Sequence, residues 1–504
     1  MKRLLVKSEK VLLGLLLLLA TISFIAFAVA ITLFRYQRMY FGGLDAGQVL
    51  FLLHSPSEGS GAAVSDLIWS NAIPFLIIVI LASMPILGFM WLRRRSSGTP
   101  IKSMSNVVFL TLYSIVGLFI VMAYGMYTLG FYTAKNIDQS TLYQDHYVDP
   151  KTVTFRAPEA KRNLVVIYLE SMENTVAAKT EGGARNKSLI PELVSLTTDD
   201  SAQSFSHTDT VGGAQPVYGT TWTAGSLTAM TTGVPLIPTA NIGTNDFGQL
   251  DKFLPGAHGI GDVLQEHGYN QAILMGSEAS FGGRDKLFSQ HGNFEIYDVM
   301  RARQDGFIPK NYDVWWGYED SKLFAYAQQT ITELARDPDP FHVQLLTVNT
   351  HFVDGYLETD CATEFAEQYA NVYACSSKQV AGFVSWLQAQ DFYENTTVVI
   401  TGDHLGMQTE FYERDLPSDY TRTIYNTFIN TPVRAEQTKS RIFTTLDMYP
   451  SMLTSIGLKA DSTRLGLGTD LFSGTPTLAE QYGLEWLDTQ IQQPSDFYTN
   501  QILN

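Results

Sequence analysis

The sequence predicts an α/β protein in which three N-terminal transmembrane helices precede a mostly parallel sheet flanked by helices. Three observations support this class. Residues 1–135 are strongly apolar, whereas the remainder of the 504 residues has the composition of a soluble protein. Short apolar runs rich in β-branched residues follow, and they alternate with segments of helical spacing. That alternation is typical of parallel strands whose two faces are covered by helices.

The apolar part contains three uncharged segments, at residues 11–34, 72–92 and 106–132. Each is longer than the roughly 18 apolar residues that indicate a membrane-spanning helix. Basic residues precede the first segment and separate the second from the third, so the positive-inside rule places both stretches in the cytoplasm. Arg35 and Arg38 are a weaker signal in the opposite sense. We therefore expect a multi-pass membrane protein with a cytoplasmic N-terminus.

Everything beyond about residue 133 is then expected outside the cytoplasm. We predict a membrane domain over 1–135, a connector over 136–160, an extracytoplasmic globular domain over 161–475 and a C-terminal tail over 476–504.

The charge and the cysteines narrow the function further. A formal net charge of −16 argues against nucleic acid as a partner, because a phosphate backbone needs a basic surface. Cys361 and Cys375 are the only cysteines. Two neighbouring cysteines in an exported domain predict one disulfide, with two free thiols as the alternative. They cannot form a structural zinc site by themselves, because such a site needs four ligands.

The exported part contains several apolar runs that are predicted to be strands, with helices between them. The clearest strands are Asn163–Leu169, Gln271–Met275, Phe341–Val348 and Thr396–Thr401. In open α/β sheets, ligands bind beyond the carboxyl ends of the strands. The residues that directly follow each strand are therefore the first candidates for a functional site.

Acidic and imidazole side chains stand at three of these strand ends. Glu170 follows the first strand, His351 follows a later one, and Asp403 and His404 follow the last. A single glutamate there is commonly a helix cap, and a single histidine is commonly structural. Adjacent Asp and His are more informative, because both side chains are metal ligands. Taken together, the three strand ends predict a divalent metal site.

A candidate nucleophile lies in Val217–Thr232, which is dense in Thr, Ser and Gly. Thr223 is placed to open the helix that follows it. A hydroxyl at a helix N-terminus faces backbone N–H groups and the positive end of the dipole, which is a suitable place for a phosphate. The residue also suits a simple N-cap, and Thr220, Thr221 and Ser226 are alternative nucleophiles.

In this order, these motifs resemble the lipoteichoic acid synthase and phosphoglycerol transferase family, within the alkaline phosphatase and sulfatase superfamily. The similarity covers roughly residues 160–473 and looks closest to the phosphoglycerol transferase that decorates periplasmic glucans. The segments that carry it are NLVVIYLESMENT (163–175), TTWTAGSLTAMTTGVP (220–235), SFGGRDKLFSQHGNFEIYD (280–298), NTHFVDGY (349–356), TGDHLG (401–406) and TLDMYPSMLTSIGL (445–458).

The resemblance implies a role for each matching residue. Thr223 corresponds to the nucleophile, Arg284 to the arginine that grips the substrate phosphate or glycerol, and His351 to a histidine beside the leaving group or acceptor. One divalent metal is implied, most consistent with Mn²⁺, although Mg²⁺ or Zn²⁺ suits the same donors. Its implied ligands are Glu170, Thr223, Asp403 and His404.

The resemblance also implies the reaction. An sn-glycerol 1-phosphate group would pass from phosphatidylglycerol, through a phospho-threonine intermediate, to a cell-envelope glycan or glycolipid. Gly282 departs from lipoteichoic acid synthases, which carry tryptophan two residues before the arginine, so the glycerol pocket is expected to differ in shape. Sulfatase activity is not expected, because neither cysteine lies in a Cys-x-Pro-x-Arg motif. The alternatives are a phosphoethanolamine transferase, a phosphodiesterase and an inactive membrane scaffold.

Overall fold

The predicted strands are present in the computed structural model, which describes residues 15–16, 18–32, 35, 61–97, 104–128, 139–237, 247, 251–414 and 416–504. Two compact units divide the chain. One contains Met1–Ala46 and Ala62–Lys135, and the other contains Gly47–Gly61 and Asn136–Asn504.

The first unit contains the helices α1 (Leu18–Thr32), α2 (Gly61–Ser97) and α3 (Met104–Thr128). Within the described ranges, one helical segment is long and apolar enough to cross a membrane, namely Asn106–Gly125 in α3, with a mean hydropathy of 2.3. The apolar segments Leu18–Thr32 and Ala72–Gly88 are shorter. One of the three predicted spans thus meets the length criterion, and the three-span topology stays a prediction.

The second unit is built on a mixed sheet of seven described strands in the order β3-β8-β7-β2-β6-β4-β5. From β7 to β5 the neighbouring strands are parallel, whereas β8 runs antiparallel to β7 and pairs antiparallel with β3. The mostly parallel sheet is therefore as predicted, with an antiparallel edge that the apolar runs did not indicate. The strands of this sheet are β2 (Asn163–Leu169), β3 (Ala202–Gln203), β4 (Asn270–Met275), β5 (Glu295–Tyr297), β6 (Phe341–Leu346), β7 (Thr396–Gly402) and β8 (Asn426–Ile429).

Two short antiparallel pairs lie outside this sheet. One joins β1 (Phe155–Arg156) to β9 (Lys459–Ala460), and the other joins β10 (Arg464–Leu465) to β11 (Gly468–Thr469).

The central strand β2 separates two apolar cores. Successive side chains of a strand point to opposite faces. Leu164, Val166 and Tyr168 accordingly belong to one buried cluster, while Val165 and Ile167 belong to the other. Because both faces are buried, the strand reads as a continuous apolar run, as expected for the interior of a parallel sheet.

Helices cover both faces of the sheet. They are α4 (Leu142–His146), α5 (Pro191–Thr197), α6 (Thr223–Thr232), α7 (Ile260–Glu266), α8 (Arg284–Gln290), α9 (Val299–Gln304), α10 (Asp320–Leu334), α11 (Gln368–Gln388), α12 (Thr409–Tyr412), α13 (Met448–Ser455), α14 (Leu478–Tyr482) and α15 (Leu484–Gln492). The predicted helix after Thr223 ends at Gly233, whose φ of 70° is left-handed, a conformation that glycine adopts at low cost.

The segment 476–504, expected to be an appended tail, is an integral part of the second unit. Leu487, Ile491 and Ile502 are buried in the same apolar cluster as β2. The predicted connector also packs there, because the Tyr143 ring lies 5.4 Å from that of Tyr498. The apolar residues of α15 recur at helical spacing, and that amphipathic stripe explains why the segment is buried rather than solvated.

A disulfide joins Cys361, in the loop after β6, to Cys375 in α11. The predicted pairing is therefore present, and it ties that loop to the helix behind the sheet.

Candidate active site

The carboxyl ends of β2 and β7 lie side by side. Leu169 pairs with Gly402 in the parallel register, so the next residues, Glu170 and Asp403, emerge together at this edge of the sheet. Both are buried, with 2% and 0% of their surface exposed. The register of two neighbouring strands thus places two carboxylates against each other.

Ser171 holds these carboxylates in place. Its hydroxyl donates to Glu170 Oε1 at 2.7 Å, and its backbone N–H donates to Asp403 Oδ1 at 2.7 Å. Ser171 is in the left-handed region with φ of 53°, which is unusual for a residue other than glycine. Such backbone strain persists where the surrounding structure fixes it, commonly at functional sites.

His404 completes the cluster. Its Nε2 lies 3.4 Å from Glu170 Oε1 and 3.5 Å from Asp403 Oδ2, while its Nδ1 lies 2.7 Å from the Leu405 carbonyl oxygen. That carbonyl accepts a hydrogen bond from Nδ1, which leaves Nε2 to face the carboxylates. One ligand atom from each of the three residues lies within 4.8 Å of the others.

The electrostatics of the cluster are strongly coupled. Burial raises the pKa of Asp403, and the neighbouring Glu170 carboxylate raises it further. Burial also acts to raise the pKa of Glu170, but His351 and His404 outweigh it and the pKa falls. At His404 burial acts to lower the pKa, yet the Asp403 and Glu170 carboxylates raise it to about 10. The cluster therefore stabilises positive charge at its centre.

The donor set fits a divalent cation. Asp403 Oδ2 is buried and accepts no hydrogen bond from the described residues. A buried carboxylate oxygen without a partner is costly, and a cation would satisfy it. Two carboxylates and one imidazole suit Mn²⁺, Mg²⁺ or Zn²⁺.

Thr223 contacts this cluster from the N-terminus of α6. Its Oγ1 donates to Glu170 Oε2 at 3.3 Å and lies 3.4 Å from His404 Nε2. The N-cap of the helix is Trp222, so Thr223 is the first helical residue and not the cap. Of the alternative hydroxyls, that of Thr220 is used in a local turn with Val217, at 2.8 Å from its carbonyl oxygen.

A buried ion pair supports the loop after β7. Arg422 donates from Nε to Glu173 Oε1 at 3.0 Å and from Nη2 to Glu173 Oε2. Glu173 Oε2 also accepts from the Gly406 N–H at 2.7 Å, and Arg422 Nη2 donates to the Gly406 carbonyl at 2.6 Å. This fork fixes the loop that begins with Asp403 and His404.

Arg284 lies after β4 and is almost fully buried. Its Nε donates to the Phe281 carbonyl at 2.9 Å, and its Nη2 donates to Ser277 Oγ at 3.1 Å and to the Glu278 carbonyl at 2.6 Å. Burial lowers its pKa to about 10, although the Glu170 carboxylate acts in the opposite sense. The side chain therefore stays cationic near neutral pH beside the carboxylates.

His351 lies in the loop after β6. Its Nδ1 lies 2.7 Å from the Phe352 carbonyl oxygen, and burial lowers its pKa. Asp320, the first residue of α10, anchors this loop by accepting from the Val348 N–H at 2.7 Å. Thr350 Oγ1 donates to the Glu170 carbonyl oxygen at 2.5 Å and so joins the loop to the end of β2.

Three buried tyrosines connect the same loops from below. The Tyr369 hydroxyl donates to the Thr350 carbonyl at 2.7 Å, and the Tyr373 hydroxyl donates to the Ser171 carbonyl at 2.8 Å. The Tyr412 hydroxyl bonds to both tyrosines. The loops after β2 and β6 thus share one hydrogen-bond network.

The structure brings Glu170, Asp403, His404 and Thr223 into direct contact. Arg284 and His351 join them electrostatically, since Glu170 affects the pKa of both. The residues that support these groups were not predicted from the sequence. Ser171 and Glu173 lay in the quoted ESMENT segment, where position directly after a strand was a usable signal. Arg422 and the tyrosines carry no local signal, because their role depends on tertiary contacts.

The protein combines a mixed sheet flanked by helices with a buried cluster of potential metal ligands and a threonine at the carboxyl edge of that sheet. Together these features define an alkaline-phosphatase-like fold. The chain belongs to the sulfatase family, whose model matches residues 162–458. The name does not imply a formylglycine nucleophile made from a cysteine in this chain, since Cys361 and Cys375 form the disulfide. The predicted membership of the alkaline phosphatase and sulfatase superfamily is confirmed.

The curated relatives include proteins named phosphoglycerol transferase I. That of Xanthomonas campestris pv. campestris is 27% identical over 84% of this chain and 57% of the relative. That of Escherichia coli is 27% identical over 65% of this chain and 41% of the relative. The chain therefore spans only about half the length of these proteins.

Among solved structures, the lipoteichoic acid synthase LtaP from Listeria monocytogenes matches with a TM-score of 0.47 and 19% identity, over 64% of this chain and 79% of that chain.

Proposed function

We propose that the chain is a metal-dependent phosphotransferase that moves phosphoglycerol from phosphatidylglycerol to an envelope glycan or glycolipid. The observation that carries the proposal is the position of Thr223 Oγ1, 3.3 Å from Glu170 Oε2 and 3.4 Å from His404 Nε2. The similarity to proteins named phosphoglycerol transferase I supports the choice of the transferred group.

The four side chains Glu170, Asp403, His404 and Thr223 would hold one divalent cation, with Mn²⁺ as the first candidate. When bound, such a cation lowers the pKa of a hydroxyl and polarises a phosphoryl oxygen. The remaining chemistry belongs to the protein groups around it.

In the first step, Thr223 Oγ attacks the phosphorus of the phosphatidylglycerol headgroup. A bond forms between Oγ and phosphorus, the bond from phosphorus to the diacylglycerol oxygen breaks, and diacylglycerol leaves with a proton. Arg284 neutralises charge on the phosphoryl oxygens, for which its planar fork is suited. The N-terminus of α6 adds the positive end of its dipole at the same place.

In the second step, an acceptor hydroxyl attacks the phosphothreonine ester. The new oxygen–phosphorus bond replaces the bond to Thr223 Oγ, and the threonine hydroxyl regains a proton. His351 is neutral near pH 7, because burial lowers its pKa, so it can accept the proton of the acceptor hydroxyl.

We also propose that this unit lies outside the cytoplasm, next to the membrane that holds the donor lipid. The disulfide between Cys361 and Cys375 supports that compartment, since disulfides persist mainly in oxidising environments. The topology with three spans and a cytoplasmic N-terminus is part of this proposal.

The test measures diacylglycerol released from labelled phosphatidylglycerol. Thr223→Ala should abolish release, and Thr223→Ser should retain part of it because the hydroxyl is kept. Ser226→Ala is the matched control, because its hydroxyl lies on the same helix and has no hydrogen-bond partner among the described residues. Full turnover by Thr223→Ala would reject the nucleophile.

The same assay separates the alternatives. Preference for phosphatidylethanolamine as donor would indicate a phosphoethanolamine transferase, and free glycerophosphate without transfer would indicate a phosphodiesterase. Absence of any donor cleavage by metal-loaded protein would indicate a scaffold.

A further inference from the structure

Two adjacent tryptophans occupy a tight turn between α9 and α10. The Val314 N–H donates to the Gly317 carbonyl at 2.8 Å, and the Gly317 N–H donates to the Val314 carbonyl at 2.9 Å. Trp315 and Trp316 are the two residues between them. Trp315 has a φ of 58°, in the left-handed region that a bulky residue rarely adopts.

The turn is fixed to the active-site edge of the sheet by backbone bonds. The Tyr318 N–H donates to the Gly276 carbonyl at 2.9 Å, and Gly317 pairs with Ser277 in an antiparallel bridge. Gly276 and Ser277 directly follow β4. Ser277 also accepts from Arg284 Nη2 at 3.1 Å, so the turn and the arginine share one support.

The ring of Trp316 lines the site beside His351. The centroids of these two rings lie 4.6 Å apart, and the Phe281 ring lies 5.6 Å from that of Trp316. Trp316 is half-buried. Its indole Nε1 is buried and has no hydrogen-bond partner among the described residues, which is costly for a donor unless a ligand satisfies it. An amphipathic ring of this kind can pack one face against C–H groups and donate from its edge.

The segments on either side of the turn carry polar groups that bond to one another. The Tyr312 hydroxyl donates to Glu319 Oε1 at 2.8 Å, and Lys322 Nζ lies 5.0 Å above the Tyr312 ring. The Trp316 ring and its unpaired N–H together suit a polyol, whose C–H faces and hydroxyl groups alternate.

We propose that Trp316, with Phe281, forms an acceptor subsite that packs against a sugar ring and presents its hydroxyl to His351. This inference deepens the proposed function and rests on it for the role of the bound sugar. Trp316 would determine which acceptor is used, while Thr223 and the metal cluster act on the donor.

The experiment measures binding of a linear glucose oligosaccharide to the full chain by isothermal titration calorimetry. The Thr223→Ala background prevents turnover. Trp316→Leu should raise the Kd about tenfold, which corresponds to about 1.4 kcal/mol. Trp316→Phe, which keeps a ring but loses the N–H, should raise it by a smaller factor.

Trp386→Leu is the matched control. Trp386 is also half-buried, but it packs against Phe392, which contacts Phe341 at the opposite, amino end of β6. The Kd of the Trp386→Leu variant for the oligosaccharide should stay within a factor of about two of the parent value, since the lost contact is remote from the sugar.

Unchanged affinity in Trp316→Leu overturns the subsite, and so does absence of saturable binding to the parent protein. Parallel titrations with glycerol and glycerol 1-phosphate distinguish the donor site from the acceptor site. If Trp316→Leu weakened binding of only these two compounds, Trp316 would belong to the donor site and the proposal would be overturned. Diacylglycerol release is scored separately. Sugar binding that depends on Trp316, without any donor cleavage, would reject the proposed function and leave the subsite standing.

Discussion

The ends of β2 and β7, which lead to the candidate metal ligands, differ from the ends of β4 and β6, which lead to Arg284 and His351. After β2 and β7, the bonds run between loops: Ser171 donates to Asp403, and Arg422 grips Glu173 and the backbone of Gly406.

After β4 and β6, the Arg284 and His351 side chains themselves bond within their own loops. Arg284 donates to Ser277, Glu278 and Phe281, and His351 Nδ1 contacts the carbonyl of the next residue. The first pair of strand ends depends on the register of the sheet. The second pair depends more on local loop contacts, although Thr350 Oγ1 and the buried tyrosines join the loop after β6 to the end of β2. Under the proposed function, the ends of β2 and β7 would activate the nucleophile, and the ends of β4 and β6 would contact the substrate.

The largest expected effect concerns bound metal. Metal content should depend on the ends of β2 and β7 (the metal side) and not on the ends of β4 and β6 (the substrate side). Glu170→Ala and His404→Ala each remove a donor from the cluster, so bound metal should fall by about tenfold or more. His351→Ala is the matched substitution on the other side and should keep its metal. Elemental analysis of purified protein gives the ratio. Equal metal content in all three variants would contradict the division.

The next effect concerns the ion pair beneath the cluster. Glu173→Gln removes the buried carboxylate of this pair and leaves Arg422 only the half-exposed Glu413 carboxylate, at 3.0 Å, so the free energy of unfolding should fall by about 3 kcal/mol. The control is Glu367→Gln in the exposed pair Arg414–Glu367, whose side chains are 57% and 44% exposed, and it should cost less than about 1 kcal/mol. Chemical unfolding measures both. A similar cost for the two variants would show that Glu173 is not specially constrained.

The disulfide stabilises the loop after β6, on the substrate side. Its two cysteines are 14 residues apart, and opening a loop of that size should lower the free energy of unfolding by about 3 kcal/mol. The variant that replaces both cysteines with alanine tests this without leaving a free thiol. Metal content should stay unchanged, because no ligand lies in the loop; a loss of metal would mean that the two sides are not independent.

The last effect is a pH dependence in β6, which is absent at neutral pH and grows as the solution is acidified. Burial lowers the pKa of His342 to about 3, and its imidazole lies 2.7 Å from Gln271 Oε1 and 3.0 Å from Gln344 Nε2. The unfolded chain therefore takes up a proton near pH 6.5 that the folded chain refuses. Stability is present above that pH and should fall by about 1.4 kcal/mol per unit as the pH drops toward 3. His342→Gln should reduce this slope in acid unfolding curves, and an identical slope would reject the assignment.

The metal side was also the easier side to predict from the sequence. Glu170, Asp403 and His404 follow apolar runs, and the end of a buried strand is visible as a local pattern. Arg422 pairs with Glu173 across 249 residues, so no local pattern reports it. Trp316 lies in a loop without strand or helix periodicity, where only the tertiary fold brings it to His351. The segment 476–504 was misjudged for the same reason, because its burial depends on partners distant in sequence.

The tyrosine network described above has a consequence for local motion. Opening the loop after β2 would strip the Tyr373 hydroxyl of an acceptor, and opening the loop after β6 would do the same to Tyr369. Because Tyr412 bonds to both hydroxyls, a change at one loop alters the hydrogen bonding of the tyrosine that holds the other loop. The two loops should therefore open as one cooperative unit, and their backbone amides should exchange hydrogen with solvent at a common free energy.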